Sequence, residues 1–336
     1  MLLERGASNN TETSALLGAI SNGHEEIAMI LIERETRLKE IKDKKDILLL
    51  SAAETGLEAM VNRLLELGAN IKAIDEEKWT PLHHAVHNGH DLVASVLVDR
   101  GADIDAIDKY EWTPLHRAAY NGHVLATSLL LDRGTNREAI DDDKWTPLHH
   151  AVHNGHDLVA SVFISKGADI EAIDKYEWTP LHRAAYNGHV LATSLLLDRG
   201  ANREALDSNG WTPLHHAIDD GQDPVVSLLL DRGANIEAMD DNQWTPLLHA
   251  IESGHDSIAR LFVYRGANIK VTSANERMPL HLAAIRGLDG VATLLLDRGA
   301  DIEAIGDKGW TPLHHTVMNY KEAIASLLLD WGANID

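Results

Sequence analysis

The tripeptide Thr-Pro-Leu begins at Thr80, Thr113, Thr146, Thr179, Thr212, Thr245 and Thr311. Successive starts lie 33 residues apart, apart from one double step whose missing phase is Met278, at the head of Met-Pro-Leu-His. Extended backward, the frame reaches Ile47 and Ser14, with Leu48 and Ala15 in place of Pro, so ten phases run without insertion from Ser14 onward. A strict period of this length confines the chain to an array of one supersecondary unit, because each unit can bury its apolar face only against its neighbours. The two unrelated globular domains that 336 residues would otherwise allow are thereby set aside.

Glycine and proline give the order inside a unit. One glycine set (Gly23, Gly56, Gly89, Gly122 and onward) follows a first apolar stretch, and a second (Gly68, Gly101, Gly134 and onward) follows Leu-Leu-Leu-Asp-Arg or its variants. The second set sits where a helix ends and φ turns positive. Eight of the nine prolines follow the Thr position, where Pro pre-sets φ for a first helical turn and Thr caps it through its hydroxyl. Residues Thr113 to Asp143 then read as a helix over Pro114–Tyr120 with Leu115, Ala118 and Ala119 inward, and a second helix over Val124–Asp132 with Leu125, Leu129 and Leu130 on its apolar face. An extended finger follows. Small Ala side chains let helices of adjacent units approach closely.

The run Thr113-Pro114-Leu115-His116-Arg117-Ala118, then Asn121-Gly122-His123, then Leu129-Leu130-Leu131-Asp132-Arg133-Gly134 resembles the ankyrin repeat family, and the resemblance covers residues 12 to 336. It implies an all-α solenoid of stacked helix-turn-helix units with β-hairpin finger loops, and a concave face of finger tips and first helices where members bind partners. It also implies structural hydrogen bonds for the signature His, as at His83 and His149. The Asp-Arg-Gly-Ala-Asn-Ile-Glu-Ala and Trp-Thr-Pro-Leu-His style is similar to that of large fungal ankyrin proteins, in which arrays follow an effector domain.

The expected domain layout has four parts: residues 1–11, a remnant of a preceding repeat; 12–77, two degenerate repeats; 78–209, four repeats; and 210–336, four more, the last ending inside its finger. Lys78–Asp143 and Lys144–Asn209 differ at only nine positions, which marks the third part as formed by a duplicated two-repeat block. In the early units Glu35 replaces a helix-ending Gly, a charged stretch from Glu33 to Asp46 replaces the usual finger, and the interval from Gly6 to Ser14 is short. Leu327, Leu328 and Leu329 match internal units instead of a polar cap, so we expect a piece of a longer, multidomain protein.

Composition removes several functions. Lys and Arg number 30 against 52 Asp and Glu, a formal charge of −22, which argues against nucleic acid. Without cysteine there is no disulfide, thiolate zinc site or thiol nucleophile. No 18-residue apolar run and no secretory leader are present, so the expected location is cytoplasmic, with the nucleus as an alternative, without secretion or membrane insertion. There is no phosphate-binding Gly loop, His-Glu-x-x-His, Gly-x-Ser-x-Gly or kinase motif set. We therefore expect no catalytic, cofactor or metal residues.

The position before Thr-Pro is Trp79, Trp112, Trp145, Trp178, Trp211, Trp244 and Trp310, broken by Arg277. Such a row is either an aromatic binding stripe or a set of indoles that pack on neighbouring fingers and stiffen the stack. His84 with His87, and His150 with His153, have the helical spacing of metal ligands but no completing carboxylate. The alternating units carry Arg117 with Tyr120 and Arg183 with Tyr186 at those places. The partner surface is accordingly Trp/His/Arg/Tyr-lined, suited to a protein or peptide with an acidic or apolar segment. An enzyme or a small-molecule or metal binder using the His-rich groove is the alternative. From the seventh unit the pattern breaks, with Asp219, Asp220 and Glu252. Asp141-Asp142-Asp143 reads as a solvated finger tip. Twenty imidazoles titrating near their ordinary value, about 6.5, would remove most of the net charge as pH falls.

Overall fold

The computed structural model describes residues 15–38, 41, 44–273 and 275–335. The expected remnant over 1–11, the Gly6 to Ser14 interval, and residues 39, 40, 42 and 43 of the charged stretch lie outside the described residues. The chain divides into two compact units, Met1–Ala168 and Asp169–Asp336.

In the first unit helices come in pairs. These are α1 (Ala15–Ser21) with α2 (Glu25–Leu38), α3 (Lys45–Thr55) with α4 (Glu58–Glu66), α5 (Pro81–His87) with α6 (Asp91–Asp99), α7 (Pro114–Asn121) with α8 (Val124–Asp132), and α9 (Pro147–His153) with α10 (Asp157–Ser165). The first helices of the pairs pack successively in one layer and the second helices in another. The second unit repeats this with α11 (Pro180–Tyr186), α12 (Val190–Asp198), α13 (Pro213–Asp219), α14 (Asp223–Asp231), α15 (Pro246–Glu252), α16 (Asp256–Tyr264), α17 (Pro279–Arg286), α18 (Asp289–Asp297), α19 (Pro312–Met318) and α20 (Glu322–Asp330).

From α5 onward, α17 with its Met278 apart, each first helix starts at the Thr-Pro pair. The His116 amide donates to Thr113 Oγ1, while His116 Nδ1 accepts from the Thr113 amide at 3.1 Å. This is a capping box with imidazole in the place usually held by Glu. An accepting Nδ1 leaves the ring proton on Nε2, which donates to the Trp145 carbonyl of the next finger at 3.1 Å. His83 does the same to Trp112. The signature His thus fastens one repeat to the next, as the resemblance implies.

The core lies between the layers. Leu115, Ala118 and Ala119 are fully buried, as expected. The second helix departs from expectation: Leu130 is buried, but Leu125 is 67% exposed and Ala126 and Thr127 are buried instead. The short helix turns its small residues toward its partners, which permits the close approach that a row of leucines would prevent. In the second unit Phe262, Leu229 and Leu295 lie in one continuous apolar cluster.

Among the described residues the fingers form no laddered strands. The Trp-bearing fingers are tight turns closed by two backbone bonds, as from the Asp108 amide to the Trp112 carbonyl at 3.0 Å and from the Glu111 amide to the Asp108 carbonyl at 3.2 Å. The residue before Trp adopts positive φ in most fingers, for example Lys78, Glu111 and Lys144.

Candidate functional site

The element that organises the Trp-bearing face is an aspartate four residues before six of the seven finger tryptophans, Trp310 being preceded by Gly306 at that distance. Asp75 Oδ1 accepts the amides of Glu77 at 2.9 Å and Trp79 at 2.8 Å. Asp108, Asp141, Asp174, Asp207 and Asp240 repeat this bracket. The second carboxylate oxygen reaches the residue nine positions on. That partner alternates over the first five brackets and then repeats: His84 at 3.0 Å, Arg117, His150 at 2.9 Å, Arg183, His216 at 3.0 Å and His249 at 3.2 Å. In the ninth repeat both ends change together, to Ser273 and the buried Leu282. Asp75 is half-buried and the other aspartates are buried, with Asp141 only 5% exposed, so the expectation that the Asp141-Asp142-Asp143 tip is wholly solvated is corrected for Asp141. Backbone amides and the helix side chain compensate its burial, whereas Asp142 and Asp143 stay exposed.

The bracketed cations and imidazoles fill the gaps between indoles. In the first unit the Arg117 guanidinium lies 4.3 Å from the ring centroids of both Trp79 and Trp112. The His150 ring lies 4.2 Å from Trp112 and 4.9 Å from Trp145. In the second unit His216 is 3.9 Å from Trp178 and 5.2 Å from Trp211, and His249 is 5.0 Å from Trp211 and 5.5 Å from Trp244. Arg183 lies 4.2 Å from Trp178. The seven indoles are half-buried, partly covered and partly open to solvent. The series breaks at Arg277, which pairs bidentately with Asp307 at 3.0 Å, and Trp310 restarts against His315 at 5.3 Å.

The predicted residues thus fall into two groups. Trp79, Trp112, Trp145, Trp178, Trp211, Trp244 and Trp310 share the finger position, and Tyr120, Tyr186, His87 and His153 stand on the first helices one turn beyond the bracketed residue, half-buried or exposed. His84 and His150 are buried on their aspartates, and Arg117 and Arg183 are already ion-paired. His84 and His87 do not converge: His84 turns to Asp75, while His87 Nδ1 accepts from Asn121 Nδ2 at 2.9 Å. Among the described residues no group of three or more His, Asp or Glu side chains is arranged to hold a metal ion. The aspartate series itself was missed in the sequence. Its signal was there, in the constant spacing to Trp and in the joint change to Ser273 and Leu282.

Burial sets the protonation of this face. It pushes His83, His116, His182 and His215 down to about 4. For His87, burial and then the Arg117 charge do the same, also to about 4. Burial alone would raise the Asp207 carboxyl, but the bonds from His216, Trp211 and Asn209 outweigh it and hold it at about 2. The expectation that all twenty histidines titrate near their ordinary value is therefore corrected. Rings enclosed between repeats cannot solvate a charge.

In the second unit the face opens into a cleft of about 390 Å³, lined by Trp178, Tyr186, Asn209, Trp211, His216, Asp219 and Asn242. With paired helices, capped Thr-Pro starts and bracketed fingers in place, the architecture is that of a helical repeat array. The family model for ankyrin repeats (3 copies) matches residues 49–141, 125–207, 157–240, 195–273 and 262–336. The chain belongs to the ankyrin-repeat family. No curated protein matches it. Ankyrin repeats are protein–protein interaction modules and typically not enzymes, and no described helix is long and apolar enough to cross a membrane.

Proposed function

We propose that the chain is a non-catalytic scaffold that binds another protein or peptide along its Trp-bearing finger and first-helix face. The observation that carries this reading is the half-exposed indole row, whose rims are held in place from below by buried Asp–His and Asp–Arg brackets. A surface fixed in this way loses little conformational freedom on binding. Because Asp108 and Asp174 already neutralise Arg117 and Arg183, an apolar segment on the partner is favoured over an acidic one. Contact falls to the indole rims and to His87, Tyr120, His153 and Tyr186. His84, His150, Arg117 and Arg183 hold the indoles in position.

The test is affinity capture with the whole chain, repeated with a variant carrying His87→Ala, Tyr120→Ala, His153→Ala and Tyr186→Ala. These side chains sit outside the bracket, so circular dichroism should remain that of the parent. Loss of capture with the fold intact is the expected result. Unchanged affinity would place the contact elsewhere.

A further inference from the structure

The position one turn beyond the bracketed residue runs His87, Tyr120, His153, Tyr186 and then changes sign to Asp219 and Glu252. Glu252 is ion-paired to Arg286. The exposed Asp219 carboxylate forms no ion pair and accepts no hydrogen bond among the described residues; its charge is felt by His249, and its backbone carbonyl accepts from His255 Nε2 at 3.3 Å. This carboxylate lines the cleft with Trp178, Tyr186 and Trp211. No Lys or Arg lines it, and the one imidazole there, His216, is engaged by Asp207 at 3.0 Å.

We infer that this cleft is a subsite for a lysine or arginine side chain of the bound peptide. The inference rests on the protein-binding reading above and adds the chemistry of one contact. At about 390 Å³ the cleft lies near the small end of ligand sites, which span roughly 300–1,000 Å³, a size that suits one side chain. The indole rims form apolar walls for the aliphatic stem of such a residue. The Asp219 carboxylate meets its charge beside low-dielectric walls, where attraction is stronger than in open water. Tyr186, Asn209 and Asn242 bring oxygen acceptors to the same opening. The wall geometry also selects among cations. His216 lies between Trp178 and Trp211, so the ring faces that would hold a quaternary ammonium are occupied. What remains is the Asp219 carboxylate beside side-chain oxygens that can accept hydrogen bonds, which favours a cation carrying N–H donors, a primary ammonium or a guanidinium.

The test uses the full chain with ¹⁵N-labelled tryptophan and three blocked pentapeptides that differ only in a central lysine, norleucine or trimethyllysine. The lysine peptide should move the Trp178 and Trp211 indole signals. Asp219→Asn should weaken that binding at least tenfold, whereas Asp220→Asn, a change at the adjacent exposed carboxylate, should alter it less than twofold. Norleucine or trimethyllysine binding as well as lysine would overturn the inference. So would full binding to Asp219→Asn, or no indole shift with any peptide. If the lysine peptide fails while partner capture still depends on the rim residues, the subsite alone is wrong. If both fail, the reading beneath it is wrong as well.

Discussion

Substituting Asp207 and His216 separately and together tests whether the bracket acts as one unit. Asp207 Oδ1 accepts the amides of Asn209 at 2.8 Å and Trp211 at 2.9 Å, and Oδ2 accepts from His216 Nε2 at 3.0 Å. The Asp207 side chain is fully buried and that of His216 nearly so. Asp207→Ser shortens the acceptor. Ser273 in the ninth repeat reaches only the Arg277 amide, at 3.3 Å. The His216 donor is then orphaned, and a buried unpaired donor costs about 1–3 kcal/mol on top of the lost charge-assisted bond, so we expect a loss of about 3 kcal/mol. His216→Leu leaves one carboxylate oxygen buried without its donor, worth about 2–3 kcal/mol by the same reasoning. The double variant removes both partners and recreates the Ser273/Leu282 pairing that the fold already accommodates. Its loss should fall short of the sum by about 2 kcal/mol, within the range of coupled neighbours. The assay is urea unfolding at pH 7 with amide exchange at Trp211 read in parallel, because a repeat array can open locally. Additivity within about 0.5 kcal/mol would refute the coupled bracket.

Two further predictions follow from the packing between repeats. His83, His116, His182 and His215 are held to about 4 in the fold, below their ordinary 6.5. The unfolded chain therefore takes up protons first as pH falls. Their contribution to stability is complete above 6.5 and is lost progressively toward 4, so melting temperature followed by circular dichroism should drop over that window. A flat profile from pH 7 to 4.5 would contradict the neutral buried rings. Gly122 and Gly101 both have positive φ, 77° and 87°, but a Cβ on Gly122 would sit 2.6 Å from His156 Nδ1 while one on Gly101 meets open space. Alanine at either should cost about 1–2 kcal/mol of backbone strain. At Gly122 it should cost about 1 kcal/mol more, because His156 would lose its bond to the Tyr120 carbonyl, at 2.9 Å. Equal urea midpoints for the two variants would show that the His156 contact contributes nothing.

Much of the architecture was legible in the residues. Thr-Pro marks the start of the first helix wherever it occurs, and the positive-φ glycines mark the ends, because capping and φ preference act over a few residues. The face of the second helix was read less well. Leu125 looked apolar and inward, yet Ala126 and Thr127 take that place, since spacing between layers is decided by neighbouring helices. The indole row was visible as a row, but not its filling. Arg117 and His150 read as surface groups and instead lie between tryptophans. The finger aspartates read as solvated charge, although their constant distance to Trp carried the correct answer.

The sequence by itself determined the repeat register, the helix boundaries and the family, because the 33-residue period is written in local backbone preferences. Only the tertiary structure decided which polar groups are buried, which histidines stay neutral and what packs between the indoles. Those properties depend on atoms brought together across 29 residues, as for His116 and Trp145, or 36, as for His156 and Tyr120. Solvation and electrostatic pairing respond to that proximity in space, which periodicity along the chain does not specify.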